Sequence, residues 1–318
     1  MLPLVGAPVA SSSINASPTS SEALTTWAPL TVMGVPLLRA IATTEPRWVR
    51  RVVIGVSVAF LGLFVLVPLA EIVVQSFLDD DGHPVGLSGW ATMLGSPSLW
   101  RSLGTTLGVA AASTAGCLVV GTFLAFVLVF VPFRGSALVR RAIETVVSFP
   151  SFLIPLAFVV LYGNAGVLHA LLGPDAGRFS FTNSVAGVVV AEVTFYTPFI
   201  VAPLLAAFSG VPADQLNVAG SLGAGPVRII RSVVLPEAAP ALGAAAMLTF
   251  LLTMNEFGIV LFTGAKDVLT LPMQIYTSSI VSFDFSSAAI LAIVQVVLSV
   301  GIYLLYRWAA ARWAGSRA

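Results

Sequence analysis

Two carboxylates interrupt stretches of the sequence that are otherwise apolar, and they are the first candidates for chemistry. Glu192 lies in AEVTFYTPFIVAPLLAAF and Glu256 in MNEFGIVLF. A charge at the centre of a bilayer costs about 2.5 to 3.5 kcal/mol on insertion scales, so each side chain should face protein or water. Glu256, beside Asn255, could line a translocation path or hold helices together through a hydrogen bond, and the residues leave both alternatives open. The hydroxyl-bearing neighbours of Glu192 favour a structural role.

The other polar residues form no catalytic or metal-binding pattern. The carboxylates of Asp79, Asp80 and Asp81 follow one another directly and must point in different directions, which is typical of a solvated loop. Cys117 is the single cysteine, so an internal disulfide or a cysteine metal cluster is excluded. No phosphate loop of the form GxxxxGK[ST] is present in the sequence. We therefore expect no metal site, no bound cofactor and no catalytic activity in this chain.

The amino-acid composition indicates the environment that surrounds the protein. Hydrophobic residues make up 58% of the 318 residues, charged residues only 9%, and the mean hydropathy is +0.99. Too few charges are available to cover a water-soluble surface, so we expect an all-α integral membrane protein surrounded by lipid. A net charge of +1 gives no basic face for nucleic acid.

Six stretches are long and apolar enough to cross a hydrocarbon core about 30 Å thick, for which a helix needs roughly 20 residues. A helical pattern interrupted by Pro150 and Pro155 makes the third stretch the least regular of them. The predicted spans are Val52–Phe77, Leu103–Phe130, Ile143–Tyr162, Val185–Phe208, Ala239–Phe262 and Ala289–Trp308. In the second span, Gly104 and Gly108 have the GxxxG spacing that permits close helix packing, within the chain or between subunits.

The basic residues predict the orientation, because positive charge resists translocation. With both termini in the cytoplasm, twelve of the 15 basic residues lie inside, and only Arg101, Arg178 and Lys266 lie outside. The twelve are Arg39, Arg47, Arg50, Arg51, Arg134, Arg140, Arg141, Arg228, Arg231, Arg307, Arg312 and Arg317. Residues 1–45, rich in Ser, Thr, Pro and Ala, are then a disordered cytoplasmic tail, and residues 309–318 a cytoplasmic C-terminus.

The stretch NVAGSLGAGPVRIIRSVVLP, between the fourth and fifth spans, predicts a cytoplasmic hairpin. A short helix over 214–220 is followed by a glycine turn, and Pro226 suits the first turn of a second helix. Arg228 and Arg231 share one face of that second helix, while the Leu235–Pro236 pair is expected to end it. A short helix with one polar and one apolar face is suited to docking in a groove of a soluble partner.

This hairpin resembles the cytoplasmic loop of type I ABC importer permeases, whose consensus is Glu-Ala-Ala, three residues, Gly, nine residues, Ile, one residue, Leu-Pro. Two positions depart from it, since Asn and Val stand where the first Glu and Ala are expected. The resemblance implies an ATPase-coupling element formed by Asn217, Val218, Ala219, Gly223, Pro226, Arg228, Arg231, Leu235 and Pro236. It covers about residues 103–308, so residues 102–308 are the expected five-helix permease core with the hairpin at 214–236, and residues 46–101 an added span and outside loop.

A narrower similarity concerns the runs MNEFGIVLFTGAKDVLTLPMQIY and AEVTFYTPFIVAPLLAAF. Both resemble permeases of 2-aminoethylphosphonate importers. Permeases for sulfate, molybdate, iron and polyamines share the same scaffold. The implied substrate is thus 2-aminoethylphosphonate or another phosphonate or oxyanion.

The resemblance implies a six-span permease in the cytoplasmic membrane of a prokaryote. Its expected partners are two ABC ATPase subunits, which would use ATP and Mg, a second permease chain, identical or related, and an extracytoplasmic substrate-binding protein. The alternative from another class is a self-sufficient transporter driven by protons, with Glu256 and Glu192 as the relay. Dependence of uptake on a separate ATPase distinguishes the two.

Overall fold

The computed structural model describes residues 47–79, 81–163, 166–172, 184–264 and 268–315. The predicted tail at 1–45, Asp80, Arg178 and Lys266 lie outside these ranges. The described chain is helical, as predicted, and its one β-bridge joins Leu78 to Pro84. It divides into two compact units between Pro68 and Leu69.

The first unit contains helix α1, Arg47–Leu61, and a π-helical turn, Gly62–Leu66. Helix α2, Val67–Gln75, begins at the boundary. The candidate span Trp48–Gln75 has a mean hydropathy of 2.7, and none of its apolar window is buried. A helix that is apolar all round is suited to contact with lipid or another membrane protein.

The second unit contains all the remaining helices of the described residues. They are α3 Ser88–Gly95, α4 Pro97–Phe130, α5 Ser136–Val146, α6 Leu153–Tyr162, α7 Val167–Leu172, α8 Val185–Ser209, α9 Ala213–Ser221, α10 Pro226–Ile229, α11 Leu235–Met254, α12 Gly258–Thr263, α13 Leu271–Tyr276 and α14 Phe285–Gly315. Two π-helical turns, Ile230–Val234 and Thr277–Val281, follow α10 and α13 directly.

Among the described residues, five helices are long and apolar enough to cross a membrane. They correspond to the first, second, fourth, fifth and sixth predicted spans. The third prediction, Ile143–Tyr162, is wrong as a continuous helix, because α5 ends at Val146 and the apolar α6 has only 10 residues. Pro150 explains the break: it lacks an N–H, and it forces the preceding residue out of helical geometry. Pro155 falls in the first turn of α6, where proline is tolerated.

The predicted fifth span, Ala239–Phe262, also differs from the structure. Its helix ends at Met254, and a second, short helix starts at Gly258 after a non-helical segment of three residues. Unpaired backbone groups are very costly in hydrocarbon, so such a break must be stabilised by side chains. The sequence marks it only by the polar pair Asn255–Glu256.

The core of the second unit is formed by α4, α8 and α11, which pack on one another along their lengths. The close approach of α4 to α8 depends on Gly116 and Gly121. A Cβ atom on Gly116 would lie 2.5 Å from Val193 Cγ2. Around the Cβ positions of Gly104 and Gly108, in contrast, no described atom lies within 4 Å. The GxxxG pair therefore does not mediate packing within the described chain, because both glycines are exposed on α4.

Candidate coupling hairpin and membrane-embedded polar residues

The hairpin between α8 and α11 has two helical arms joined by a left-handed turn. The first arm is α9, and the turn is made by Gly223, whose φ is +81°. Glycine adopts this conformation at no steric cost, whereas a residue with a Cβ is strained there. Pro226 is at the beginning of the second arm, α10, where its missing N–H costs nothing.

The second arm does not end at the Leu235–Pro236 pair, so that prediction is wrong. Instead α10 runs through the π-helical turn into α11, and the apolar helix continues from Pro226 to Met254. The Leu235 N–H donates to the carbonyl of Ile230, five residues back. This wider turn accommodates the proline ring, which would otherwise clash with the carbonyl four residues earlier. The arm is thus a rigid extension of a membrane helix.

An open cleft of about 640 Å³ lies between the two arms of the hairpin. Its walls include three of the predicted coupling residues, Val218, Ala219 and Pro236. The carboxyl-bearing residues Asp214 and Glu237 also line it. The cleft therefore combines an apolar surface with two acidic side chains, which suits it to an inserted side chain of a partner protein.

Five of the six remaining predicted coupling residues are exposed on the hairpin, and Leu235 is half-buried. The five are Asn217, Gly223, Pro226, Arg228 and Arg231. Sequence reasoning missed Leu222, which lines the cleft and is 82% exposed. Its position directly before the turn glycine was the available signal. With Val227, 77% exposed, it gives the hairpin an apolar surface that no described residue covers.

Glu256 lies in the break between α11 and α12 and is almost fully buried, with 8% of its surface exposed. Its carboxylate accepts a hydrogen bond from the Tyr196 hydroxyl of α8. It also accepts from Ser151 Oγ at 3.3 Å and from the Ile259 N–H at 2.9 Å. The carboxylate thereby connects three parts of the fold that are distant in sequence and satisfies an N–H group at the start of α12.

Asn255 connects the same break to α14. Its Oδ1 accepts a hydrogen bond from Gln295 Nε2 at 3.0 Å, and its Nδ2 donates to the Leu251 carbonyl at 2.7 Å. Gln295 Nε2 also donates to the carbonyl of Met254 at 3.2 Å. Adjacent residues thus fix the break on two sides, and several of the backbone groups that the interruption frees are paired.

Glu192 lies in α8 and is completely buried. The Ser113 hydroxyl of α4 lies beside its carboxyl group, but neither carboxyl oxygen of Glu192 nor Ser113 Oγ makes a hydrogen bond of ordinary length to a described residue. The structure therefore brings no ion-pair partner to Glu192. A buried polar group without partners is costly, which distinguishes Glu192 from the well-paired Glu256.

Outside the membrane spans, Asp79, Asp81 and His83 come together in the loop after α2. Asp79 Oδ1 accepts hydrogen bonds from the backbone N–H groups of Asp81, at 3.1 Å, and His83, at 2.6 Å. The Asp79 side chain therefore closes its own turn, as aspartate does in many loops.

Comparison with known proteins identifies the family. Residues 117–315, which include the core helices α8 and α11, the hairpin and both polar sites, match the family described as binding-protein-dependent transport system inner membrane component. The chain belongs to this family. It is a multi-pass permease subunit of an ABC importer in the inner membrane, and it functions with an ATPase and a substrate-binding protein.

Two curated relatives and one solved structure place the permease more closely. It is 43% identical over 249 residues to the PhnU permease of Salmonella typhi, and the match covers 77% of this chain and 86% of that protein. The name of that relative assigns it provisionally to 2-aminoethylphosphonate transport. It is 30% identical over 270 residues to the molybdenum transport permease ModB of Mycobacterium tuberculosis, covering 81% and 95%. A bacterial ABC transporter that imports alginate matches with a TM-score of 0.72 at 16% identity, over 87% of this chain and 99% of that chain.

The similarity to the alginate transporter shows a shared fold only. Membership of the permease family favours the ATP-dependent importer over the self-sufficient, proton-driven transporter. Permeases of this kind are non-catalytic subunits.

Proposed function

We propose that this permease imports 2-aminoethylphosphonate or a closely related phosphonate. The observation that carries the proposal is the 43% identity to PhnU across 86% of that protein, against 30% to the molybdenum permease. The narrower sequence similarity, in the runs around Glu192 and Glu256, falls on the residues that form the buried polar sites of α8 and of the α11–α12 break.

The permease is oriented with both termini in the cytoplasm, which requires the interrupted α5–α6 segment to cross the membrane in addition to the five long helices. This orientation is supported by the distribution of the basic residues and by the position of the hairpin, which must face the compartment that contains ATP. The hairpin with Arg228 and Arg231 and the loop with Arg134 then lie on the same side of the membrane, and the loop at 76–87 lies on the other.

The hairpin couples this permease to its ATPase. Asn217, Val218, Ala219, Gly223, Pro226, Arg228, Arg231, Leu235 and Pro236 form or flank the coupling surface. Since each chain has one hairpin and an ABC importer works with paired ATPase subunits, two permease chains are needed, either identical or related. ATP and Mg are bound by the ATPase, and this chain contributes no cofactor of its own.

Transport proceeds by alternating access, in which closure of the ATPase pair moves the hairpins and reorients the spans around a central path. Asn255, Glu256 and Glu192 are the proposed polar residues of that path. Glu192 has free acceptor capacity among the described residues, whereas the acceptors of Glu256 are taken up by Tyr196, Ser151 and Ile259.

Uptake of radiolabelled 2-aminoethylphosphonate tests the proposal. Vesicles would contain the permease with its cognate ATPase, internal ATP and the external binding protein, and a catalytically inactive ATPase provides the matched control. We expect ATP-dependent uptake that excess unlabelled 2-aminoethylphosphonate abolishes and that molybdate and spermidine leave unchanged. Competition by molybdate alone would overturn the substrate, and uptake by the lone chain on a proton gradient would overturn the ATP-dependent mechanism.

A further inference from the structure

The two helix breaks of this permease touch each other. The turn before α6 contributes Ser151, whose Oγ lies 3.3 Å from Glu256 Oε1 in the break before α12. A Cβ atom on Gly258, the first residue of α12, would stand 3.4 Å from Ser151 Oγ and 3.6 Å from Phe152 Cβ. Two short helices therefore begin at the same place, each after a non-helical segment.

The short helices α6 and α12 also pack against each other beyond the breaks. The rings of Phe152 and Phe262 are in contact, with centroids 5.2 Å apart, and α6 and α12 make further backbone contacts. The packing between α6 and α12 is kept when both helices move together. Each of them also contacts α8, and each is joined to the helix before it through non-helical backbone.

The breaks are stable features and not frayed ends. Among the described residues, the Glu256 N–H donates to the Thr253 carbonyl at 3.1 Å, the Ile259 N–H is bound by the Glu256 carboxylate, and Gln295 binds the Met254 carbonyl. Side-chain partners hold these backbone groups in place of the repeating hydrogen bonds of a helix. Hinges fall at loop or element-terminal residues such as these, which absorb the change in φ and ψ when a unit moves.

We propose that α6 and α12 form one hinged unit of the permease, and that the contact of Tyr196 with Glu256 is the latch that holds this unit against α8. Tyr196 and Glu256 are then positioning residues for the conformational change. This inference rests on the proposed alternating-access mechanism and is independent of the substrate. Tyr196 is itself fixed, because it is 5% exposed and its ring packs against Phe195 and Phe199.

Removing the latch donor tests the proposal first. Tyr196→Phe keeps the ring and its packing but loses the hydroxyl, so the unit is released and the ATPase is no longer restrained. ATP hydrolysis without the binding protein should rise about threefold or more, since a lost hydrogen bond to a charged group shifts such an equilibrium strongly. The matched control is Thr197→Val. The Thr197 hydroxyl donates within its own helix, to the Val193 carbonyl at 2.6 Å, so this variant should hydrolyse ATP at the parent rate. Hydrolysis at the parent level in Tyr196→Phe would overturn the latch.

A reversible cross-link tests the unit without relying on the first variant. Ser151→Cys and Gly258→Cys in a Cys117→Ser background place two thiols within reach, and oxidation should join them. Because both positions belong to the same unit, the oxidised protein should retain ATP hydrolysis stimulated by the binding protein at half the parent level or more. Loss on oxidation with recovery on reduction would show that the two helices separate, and failure to cross-link would show that they are not held together; either result overturns the unit.

These readouts are ATP hydrolysis and disulfide formation, so they do not require the substrate to be a phosphonate. If the parent hydrolyses ATP but takes up no 2-aminoethylphosphonate, the proposed substrate fails while the hinged unit is still decided by the variants.

Discussion

Gly121 of α4 lies directly against Ile200 of α8. A Cβ atom on Gly121 would stand 2.8 Å from both Cβ and Cγ2 of Ile200, and 3.4 Å from the Thr197 carbonyl oxygen. Ile200 is completely buried, and its branched side chain has little freedom to move aside. At this level of the core, the distance between the two helices therefore depends on the absence of a methyl group at Gly121, as it does at Gly116 further along α4.

The first prediction is that Gly121→Ala destabilises the permease. The added methyl overlaps Ile200 and must push the helices apart, at a cost of about 1 to 3 kcal/mol. The thermal unfolding midpoint of the purified complex should fall. Gly108→Ala in the same helix is the control, since no described atom lies within 4 Å of its Cβ position, and it should unfold like the parent or slightly later. Equal midpoints for both variants would mean that α4 and α8 can separate without cost.

The second prediction concerns Glu192. Glu192→Met removes a buried carboxylate that has no hydrogen-bond partner among the described residues, so the stability of the complex should stay unchanged or rise by about 1 to 3 kcal/mol. Uptake should nevertheless fall, because a carboxylate retained inside the membrane at such a cost points to a functional role. Thr249→Val serves as the control and should transport normally. It also removes a buried polar group without a described partner, in this case a hydroxyl. Parent-level uptake by Glu192→Met would leave Glu192 without a role in the path.

The membrane spans, the hairpin turn and the helix breaks show how far the sequence predicts the structure. Hydropathy found the long spans, because a bilayer requires a long apolar helix whatever its neighbours are. Gly223 and Pro226 were also located correctly, since their backbone preferences are local. The sequence marked the third stretch as irregular at Pro150 but still predicted it as one span, and it did not predict the break at Asn255, because a short apolar helix and a long one share the same composition.

The pairing of the two carboxylates could not be read from the chain either. Sequence reasoning left Glu256 open between path and interhelical hydrogen bond and assigned Glu192 a structural role. The structure pairs Glu256 with Tyr196 and Ser151 and leaves Glu192 without a described partner. Those partners come from distant elements, and only the tertiary fold determines which of two similar residues they reach.

The third prediction concerns topology. In a Cys117→Ser background, a cysteine at Ser282, in an exposed loop, should react with an impermeant thiol reagent added outside the cell. A cysteine at Ser221, exposed on the hairpin, should react only after the membrane is opened. The reason is the excess of arginine in the segments assigned to the cytoplasm. The reverse labelling pattern would invert the orientation and separate the hairpin from the ATPase.

The fourth prediction is that Gly223→Val uncouples the ATPase. The surroundings are open, so the effect comes only from the positive φ, and the strained form costs about 1 to 3 kcal/mol. Membrane insertion should be normal, while co-purification of the ATPase or uptake per ATP hydrolysed should fall. Gly220→Val occupies equally open space in the helical backbone of α9 and should behave like the parent. A Gly223→Val complex that assembles and transports fully would show that the hairpin is only a basic loop.

The π-helical turn at Ile230–Val234 has a consequence for insertions and deletions in this region. Each residue of an α-helix turns the chain by about 100°, and a π-helical turn holds one residue more than an α-helical turn. Deleting one residue between Ile230 and Val234 would convert this wide turn into an α-helical turn and leave Arg228 at nearly the same angle about the axis of α11. Deleting two residues would rotate Arg228 by about 100°, so that the hairpin would present a different side to its partner. The wide turn therefore absorbs one residue in the angular phase between the docking surface and the span, and a single-residue deletion should be tolerated better here than a deletion of two residues.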